Sequence, residues 1–230
     1  MDSSRPEPSP LTPRAAQIVS AARELLEEEG RDALTMRALA DRLGIRAPSL
    51  YKHFPDKAAV EAALIERGLM EIGAILYGVL EECAGAGKGA GGGGTEADAD
   101  GTGLEGDGLN ADGGTGGAED GGTEDGGAGT GVIGVVLRAY RAAALARPNL
   151  YRLITSGTLP RERLAPGLEE WSGTPLFLAA GEPYLAQALW SFAHGMVILE
   201  LDGRYPEGSD LERTWAEGAR AFADRRASTG

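Results

Sequence analysis

Residues 34–57 read LTMRALADRLGIRAPSLYKHFPDK, and the fold turns on them. Thr35 is a good N-cap ahead of an inward-facing set, Leu39, Ala40 and Leu43, and Leu34 before it is placed to pack on Leu39 as a hydrophobic staple. Gly44 makes the turn. A very short helix follows, with Pro48 in its first turn where a missing N–H costs nothing, and it is over by Phe54-Pro55. Upstream, after a tail punctuated by Pro6, Pro8, Pro10 and Pro13, residues Ala15, Ile18, Val19, Ala22, Leu25 and Leu26 form one apolar helix face that Gly30 ends. Downstream, Asp56 caps a long fourth helix running to about Cys83. Two short helices joined by a tight glycine turn and packed on a third are the ingredients of a helix-turn-helix, whose second helix enters the DNA major groove.

Composition excludes several other classes. The chain has 230 residues, 42% of them hydrophobic, enough to bury a real core. One cysteine, Cys83, and two histidines, His53 and His194, cannot build a disulfide framework or a Cys/His zinc site, so no metal or cofactor is expected. Cys83 has no basic neighbour to activate it and receives no role. No apolar run reaches the eighteen or so residues of a membrane span, and the first residues lack the apolar centre of a signal peptide. A cytoplasmic protein without a membrane partner is expected.

The net charge of −13 argues against a nucleic-acid partner until it is located. Residues 85–131 hold 21 of the 36 glycines, ten acidic residues and one basic residue, Lys88, so this stretch alone carries −9. Residues 31–57, by contrast, are locally +3. With few large apolar side chains beyond Leu104 and Leu109, the segment 85–131 reads as a disordered insertion whose charge repels DNA. Asp98, Asp100 and Gly103 fall at EF-hand positions, but Thr102 and Leu109 stand where ligands are required, so no calcium loop is expected.

The stretch 34–57 resembles the DNA-binding domain of the tetracycline-repressor (TetR) family: a glycine-plus-apolar turn, a Ser-Leu-Tyr-Lys-His-Phe recognition helix (residues 49–54) and a following Lys57, just after a suitable first helix. The resemblance covers about residues 11–83. It continues more weakly where Leu189-Trp190-Ser191-Phe192-Ala193-His194-Gly195 is similar to the effector domain of a TetR subgroup marked by a Trp…His-Gly signature. Helical apolar spacing on both sides of the insertion, with no run of strand alternation, already reads as all-α, and with the resemblance the expectation is about nine helices: a disordered tail 1–12, a helix-turn-helix domain 13–60, a linking helix 61–84, and an effector-binding and dimerisation domain 132–226, with the insertion 85–131 a departure from the family pattern. The resemblance also implies that Thr35 caps its helix and bonds a phosphate, and that Arg37 reaches phosphate or a base. Arg46, Ala47, Pro48 and Ser49 would face base edges, Tyr51, Lys52 and His53 would lie on or near the backbone, and Lys57 would hold a phosphate. The residue chemistry agrees: Arg46 can contact guanine in bidentate fashion, Ser49 can serve either base, and Ala47 and Pro48 offer surface to a thymine methyl. Family members often carry Ser or Thr where Arg46 stands. Tyr51 has core packing as its alternative reading, Phe54 reads as core, and Arg42 reads as solvated.

In the C-terminal half the breaks at Pro148, Pro160, Pro183 and Gly203–Pro206 predict helices over 132–146, 148–156, 161–171, 183–202 and 210–226. The helix 184–201 is apolar around most of its circumference and must be covered on several sides. The resemblance implies a homodimer on palindromic double-stranded DNA, repression as the default, and a small-molecule effector pocket, with Tyr140, Tyr151, Phe177, Trp190 and His194 as lining candidates. Core packing explains each of those five equally well. Gly68, Gly73 and Gly78 read as softening the fourth helix, which serves as the lever between effector and DNA. There is no Gly-x-Ser-x-Gly, no Gly-Lys-Ser/Thr phosphate loop and no His beside a candidate nucleophile, so no enzyme is expected. A helical ligand-binding dimer that has lost DNA binding remains the alternative.

Overall fold

The structure is a computed structural model and describes residues 4–89 and 131–228. The expected insertion, its calcium-like spacing and its charge effect fall, from 90 to 130, outside the described residues. Those described form nine α-helices and no strand: α1 (Pro13–Glu29), α2 (Met36–Arg42), α3 (Ala47–Leu50), α4 (Lys57–Gly89), α5 (Gly131–Ala146), α6 (Pro148–Thr155), α7 (Leu168–Ala180), α8 (Pro183–Leu201) and α9 (Leu211–Ala227). The all-α expectation holds.

Local chemistry sets the ends of the first helices. The Thr12 hydroxyl accepts from the Ala15 N–H, Pro13 opens α1, and Gly30 at φ 83° closes it. Thr35 accepts from the Ala38 N–H, and the stapling pair Leu34 and Leu39 are both buried. The turn between α2 and α3 is a Schellman closure: the Ile45 N–H bonds the Ala40 carbonyl at 3.0 Å and the Gly44 N–H bonds the Asp41 carbonyl at 3.1 Å. It demands the left-handed Gly44, φ 62°. Asp56 caps α4 through the Ala59 N–H at 2.6 Å.

α1 to α3 and the start of α4 share a core of Ile18, Leu26, Leu34, Leu39, Leu50 and Val60, into which α6 inserts Leu150 and Leu153. A second core joins α5, α7, α8 and α9 around Leu76 of α4, with Leu137, Tyr151, Leu189 and Trp215. α4 and α6 belong to both.

Four expectations are corrected. α4 continues past Ala84 to Gly89, because Ala84 and Ala86 extend a helix already nucleated and each added residue gains a hydrogen bond. The predicted helix 161–171 is instead a 3-10 turn, Arg161–Arg163, followed by α7, which carries Pro175 inside it. Ser172-Gly173-Thr174-Pro175 is loop-like locally, yet burial of Leu168, Trp171, Leu176 and Ala179 holds it helical. The Ser172 and Thr174 hydroxyls bond the Glu169 and Glu170 carbonyls.

The expected loose tail is docked over residues 4–12. Ser9 donates from its N–H (3.2 Å) and hydroxyl (2.8 Å) to Glu66, and the Arg5 guanidinium lies 5.8 Å from the Trp171 ring centre. Glu66 on α4, 1% exposed, also accepts from the Ala165 N–H at 2.9 Å, tying the N-terminal segment to the loop before α7. Finally, Gly68 and Gly73 are packing glycines. A Cβ at 73 would lie within 3.0 Å of three Trp171 ring carbons, and one at 68 would meet Ile154 and Leu150; of these three glycines Gly78 alone faces open space.

Candidate functional site

The helix-turn-helix presents one polar surface. Arg37, Arg46, Pro48, Ser49, Tyr51, Lys52 and His53 are all exposed, and Ala47 is half-buried. Tyr51 is 52% exposed and therefore not core, whereas Phe54 is buried at 6%. Arg46 is the N-cap residue of α3, and its side chain makes no capping bond. Arginine here leaves the cap of a one-turn helix unmade and projects its guanidinium outward. Arg37 has only a 3.9 Å approach to Asp41.

Other basic residues nearby are committed within the domain. Arg42, read as solvated, donates both NH groups to Glu28 of α1 at 2.7 Å and reaches Glu24 at 3.5 Å. That bond holds the Glu28 carboxyl below its ordinary pKa. Arg31 grips Glu61 through two bonds of 3.0 and 2.9 Å. Lys57 donates to the Arg31 carbonyl at 2.9 Å and lies 3.6 Å from Glu61, so its ammonium is already engaged at the α1–α2 connection.

The second element is a cavity of about 520 Å³ lined by α4, α5, α6, α7, α8 and the segment between α6 and α7. Of the five aromatic and polar candidates, Tyr140, Tyr151 and Trp190 line it. His194 stands behind them, its Nδ1 2.8 Å from the Tyr151 hydroxyl and its ring stacked on Trp190. Phe177 does not reach this cavity and lines a separate cleft with Ser4 and Pro6. The Tyr140 and Tyr151 hydroxyls are 3.0 Å apart. Burial raises both phenol pKa values, with the neighbouring Tyr140 adding to the rise at Tyr151. Burial lowers that of His194, favouring the neutral imidazole.

The cavity and the helix-turn-helix domain share α6. Its Tyr151, Ile154 and Thr155 line the cavity, while Leu150 and Leu153 sit in the N-terminal core. The α6 N-terminus has no cap of its own from Arg147. Glu27 of α1 supplies one, accepting from the Leu150 N–H at 2.8 Å and the Asn149 N–H at 3.3 Å, and the Asn149 amide returns a bond of 3.0 Å to the Glu27 carbonyl. Sequence reasoning missed Glu27 and Glu66. The signal for Glu27 was present: Glu27-Glu28-Glu29 places three carboxylates in the last turn of a helix, where the macrodipole disfavours them. Such a pattern asks for an external partner. Among the described residues no group of His, Cys, Asp and Glu could hold a metal ion, and no helix is long and apolar enough to cross a membrane.

Two family profiles match. Residues 18–64 fit the bacterial regulatory proteins of the tetR family, and residues 135–222 fit the tetracyclin repressor-like C-terminal domain; together they cover more than half of the chain. The C-terminal match does not distinguish a Trp…His-Gly subgroup. The class A tetracycline repressor protein from transposon 1721 of Escherichia coli is 50% identical over 54 residues, 24% of this chain and 25% of that protein. The chain thus spans about a quarter of that relative's length. Among solved structures, a protein of unknown function from Rhodococcus sp. RHA1 superposes with a TM-score of 0.59 at 19% identity, over 92% of this chain and 94% of that one. A TetR variant from Acinetobacter baumannii AYE in complex with minocycline superposes at 0.54 and 20% identity, over 96% and 98%. At these identities the likeness is one of fold.

Proposed function

The chain belongs to the TetR family of bacterial regulatory proteins, and from that premise we propose that it is a ligand-responsive transcriptional repressor, binding a palindromic operator as a homodimer and released when a small molecule occupies the cavity. One observation carries this reading: α6 lines the cavity on one face, inserts into the helix-turn-helix core with the other, and is capped by a carboxylate of α1. A molecule that displaces α6 therefore moves α1 and the recognition helix with it.

Arg46, Ser49 and the surfaces of Ala47 and Pro48 read base edges, while Thr35, Arg37, Tyr51, Lys52 and His53 position the backbone. Lys57 acts from the α1–α2 connection and reaches a phosphate only by loosening its bond to the Arg31 carbonyl. A four-residue recognition helix covers few base pairs, and a two-fold dimer doubles its reading. The dimer face is on α8, where Tyr184 (80% exposed), Trp190 and Leu199 are uncovered and Ala188, Ser191 and Gly195 lie at helical spacing beside them. The small residues permit close approach of a second copy.

The test is a salt titration of binding to the intergenic DNA beside the protein's own gene, against random DNA. A dimer neutralising about four to eight phosphates gives a log–log slope of roughly −4 to −7. Arg46→Ala should cost about 1–3 kcal/mol and relax base preference without abolishing the slope. Binding to that DNA no better than to random sequence at low salt, with the protein freed of ligand, would favour a ligand-binding dimer that has lost DNA binding.

A further inference from the structure

The cavity's hydrogen-bonding groups are already committed in a way that selects its occupant, and the inference rests on the reading of this cavity as the effector site. Its walls are mostly apolar, with Leu69, Ile72, Leu76 and Leu176 among them. Its charged members are Arg161 and Glu169, which neutralise each other through two bonds of 2.6 Å. An anionic or cationic ligand would have to break that pair or leave its own charge unpaired. The buried phenols and the imidazole point the same way, since burial favours the neutral form of all three.

Two hydroxyl protons at the cavity are spent. Thr155 gives its proton to the Tyr151 carbonyl at 2.8 Å, and Ser172 gives its own to the Glu169 carbonyl at 3.0 Å. The Tyr140 and Tyr151 hydroxyls and the His194 Nδ1 bond among themselves, at 3.0 and 2.8 Å. The cavity-lining Thr155 and Ser172 oxygens therefore keep lone pairs and have no proton to offer. The exposed Thr158 and Gln187 are the other polar side chains around it. We infer that the cavity takes an uncharged, predominantly apolar small molecule whose polar group is an O–H or N–H hydrogen-bond donor, matched to the oxygens of Thr155 and Ser172. A ligand carrying only acceptors leaves these oxygens facing lone pairs.

A matched naphthalene series tests this on the full chain at pH 7 by calorimetry: 2-naphthol (neutral donor), 2-methoxynaphthalene (acceptor only), 2-naphthoate (anion) and 2-naphthylmethylammonium (cation). 2-Naphthol should bind about tenfold more tightly than 2-methoxynaphthalene, the loss expected when buried polar groups stay unpaired, and the ions more weakly still. Gly173→Leu projects into space that is open at this glycine and should abolish binding of the whole series while helical content by circular dichroism is unchanged. Thr155→Val with Ser172→Ala should shrink the preference for the naphthol. Equal affinity for the methoxy compound, tightest binding by either ion, or no binding that Gly173→Leu removes would overturn the inference. Operator affinity measured in parallel separates the two claims: donor-selective binding that leaves DNA affinity unchanged rejects the regulatory role and keeps the ligand class.

Discussion

Gly73 and Gly78 lie in the same helix, α4, yet replacing each by alanine should move stability in opposite directions. In a helix interior Gly→Ala gains up to about 1 kcal/mol from backbone entropy and propensity. At Gly78 nothing lies within 4 Å of the added methyl, so the gain stands alone. At Gly73 the methyl would fall within 3.0 Å of three Trp171 ring carbons, well inside the roughly 3.5–4.0 Å optimum for carbon contacts. Trp171 cannot swing away cheaply: it is 7% exposed, its ring stacks on Tyr77 at 5.2 Å, and Arg5 lies over it. Overpacking of this kind costs about 1–3 kcal/mol, which exceeds the propensity gain and leaves Gly73→Ala destabilised by up to about 2 kcal/mol. For a chain of this size each 1 kcal/mol moves Tm by about 2–4 °C. Thermal unfolding followed by circular dichroism should show Gly78→Ala above the wild type and Gly73→Ala below it. If Gly73→Ala raises Tm as Gly78→Ala does, the close α4–α7 approach is not as described and the packing argument fails. Gly78→Ala is also the clean probe of the lever, because it stiffens α4 without touching a neighbour; an unchanged effector response would reject softness of α4 as part of the transmission.

Glu27→Ala removes the carboxylate that caps α6 from α1. It should cost about 0.5–2 kcal/mol of stability and, more tellingly, reduce the shift in operator affinity that a cavity ligand produces; full retention of that shift would show that α4 alone carries the coupling. His194 has a pKa lowered by burial, so the unfolded chain binds the proton more readily than the folded one. Stability is then complete above the unfolded value near 6.5 and is lost as pH falls below it toward the folded value. The carboxylates with lowered values, Glu28, Asp56 and Glu169, titrate below this window. Tm measured from pH 7.5 to 5.5 should therefore fall, and the fall should shrink in His194→Gln; a flat profile in the wild type would contradict the burial of the imidazole.

The N-terminal domain was legible because its determinants are local. Thr35, Gly44, Pro48 and Asp56 each act within a few residues along the chain, through a cap, a left-handed turn or a fixed φ, and nothing distant has to be known. The outward side chains of α3 follow from the same short-range periodicity. α7 was not legible, because Ser172-Gly173-Thr174-Pro175 argues against a helix until Trp171 and Leu176 find the cores they bury into. Phe177 and Trp190 are equally aromatic in the sequence, and only the packing of α7 against α8 turned one away from the cavity and the other toward it.

The sequence by itself determined the helix-turn-helix, the helical class of the C-terminal half and the location of most of the acidic charge, since each depends on spacing, capping or composition along the chain. Tertiary structure alone decided that Gly68 and Gly73 are contact points, that Glu66 ties Ser9 to Ala165, that Arg42 is paired with Glu28, and that Glu27 of α1 caps α6 across 123 positions of sequence. Those contacts join residues far apart in the chain. Their energy comes from desolvation and close approach, which exist only once the helices have packed.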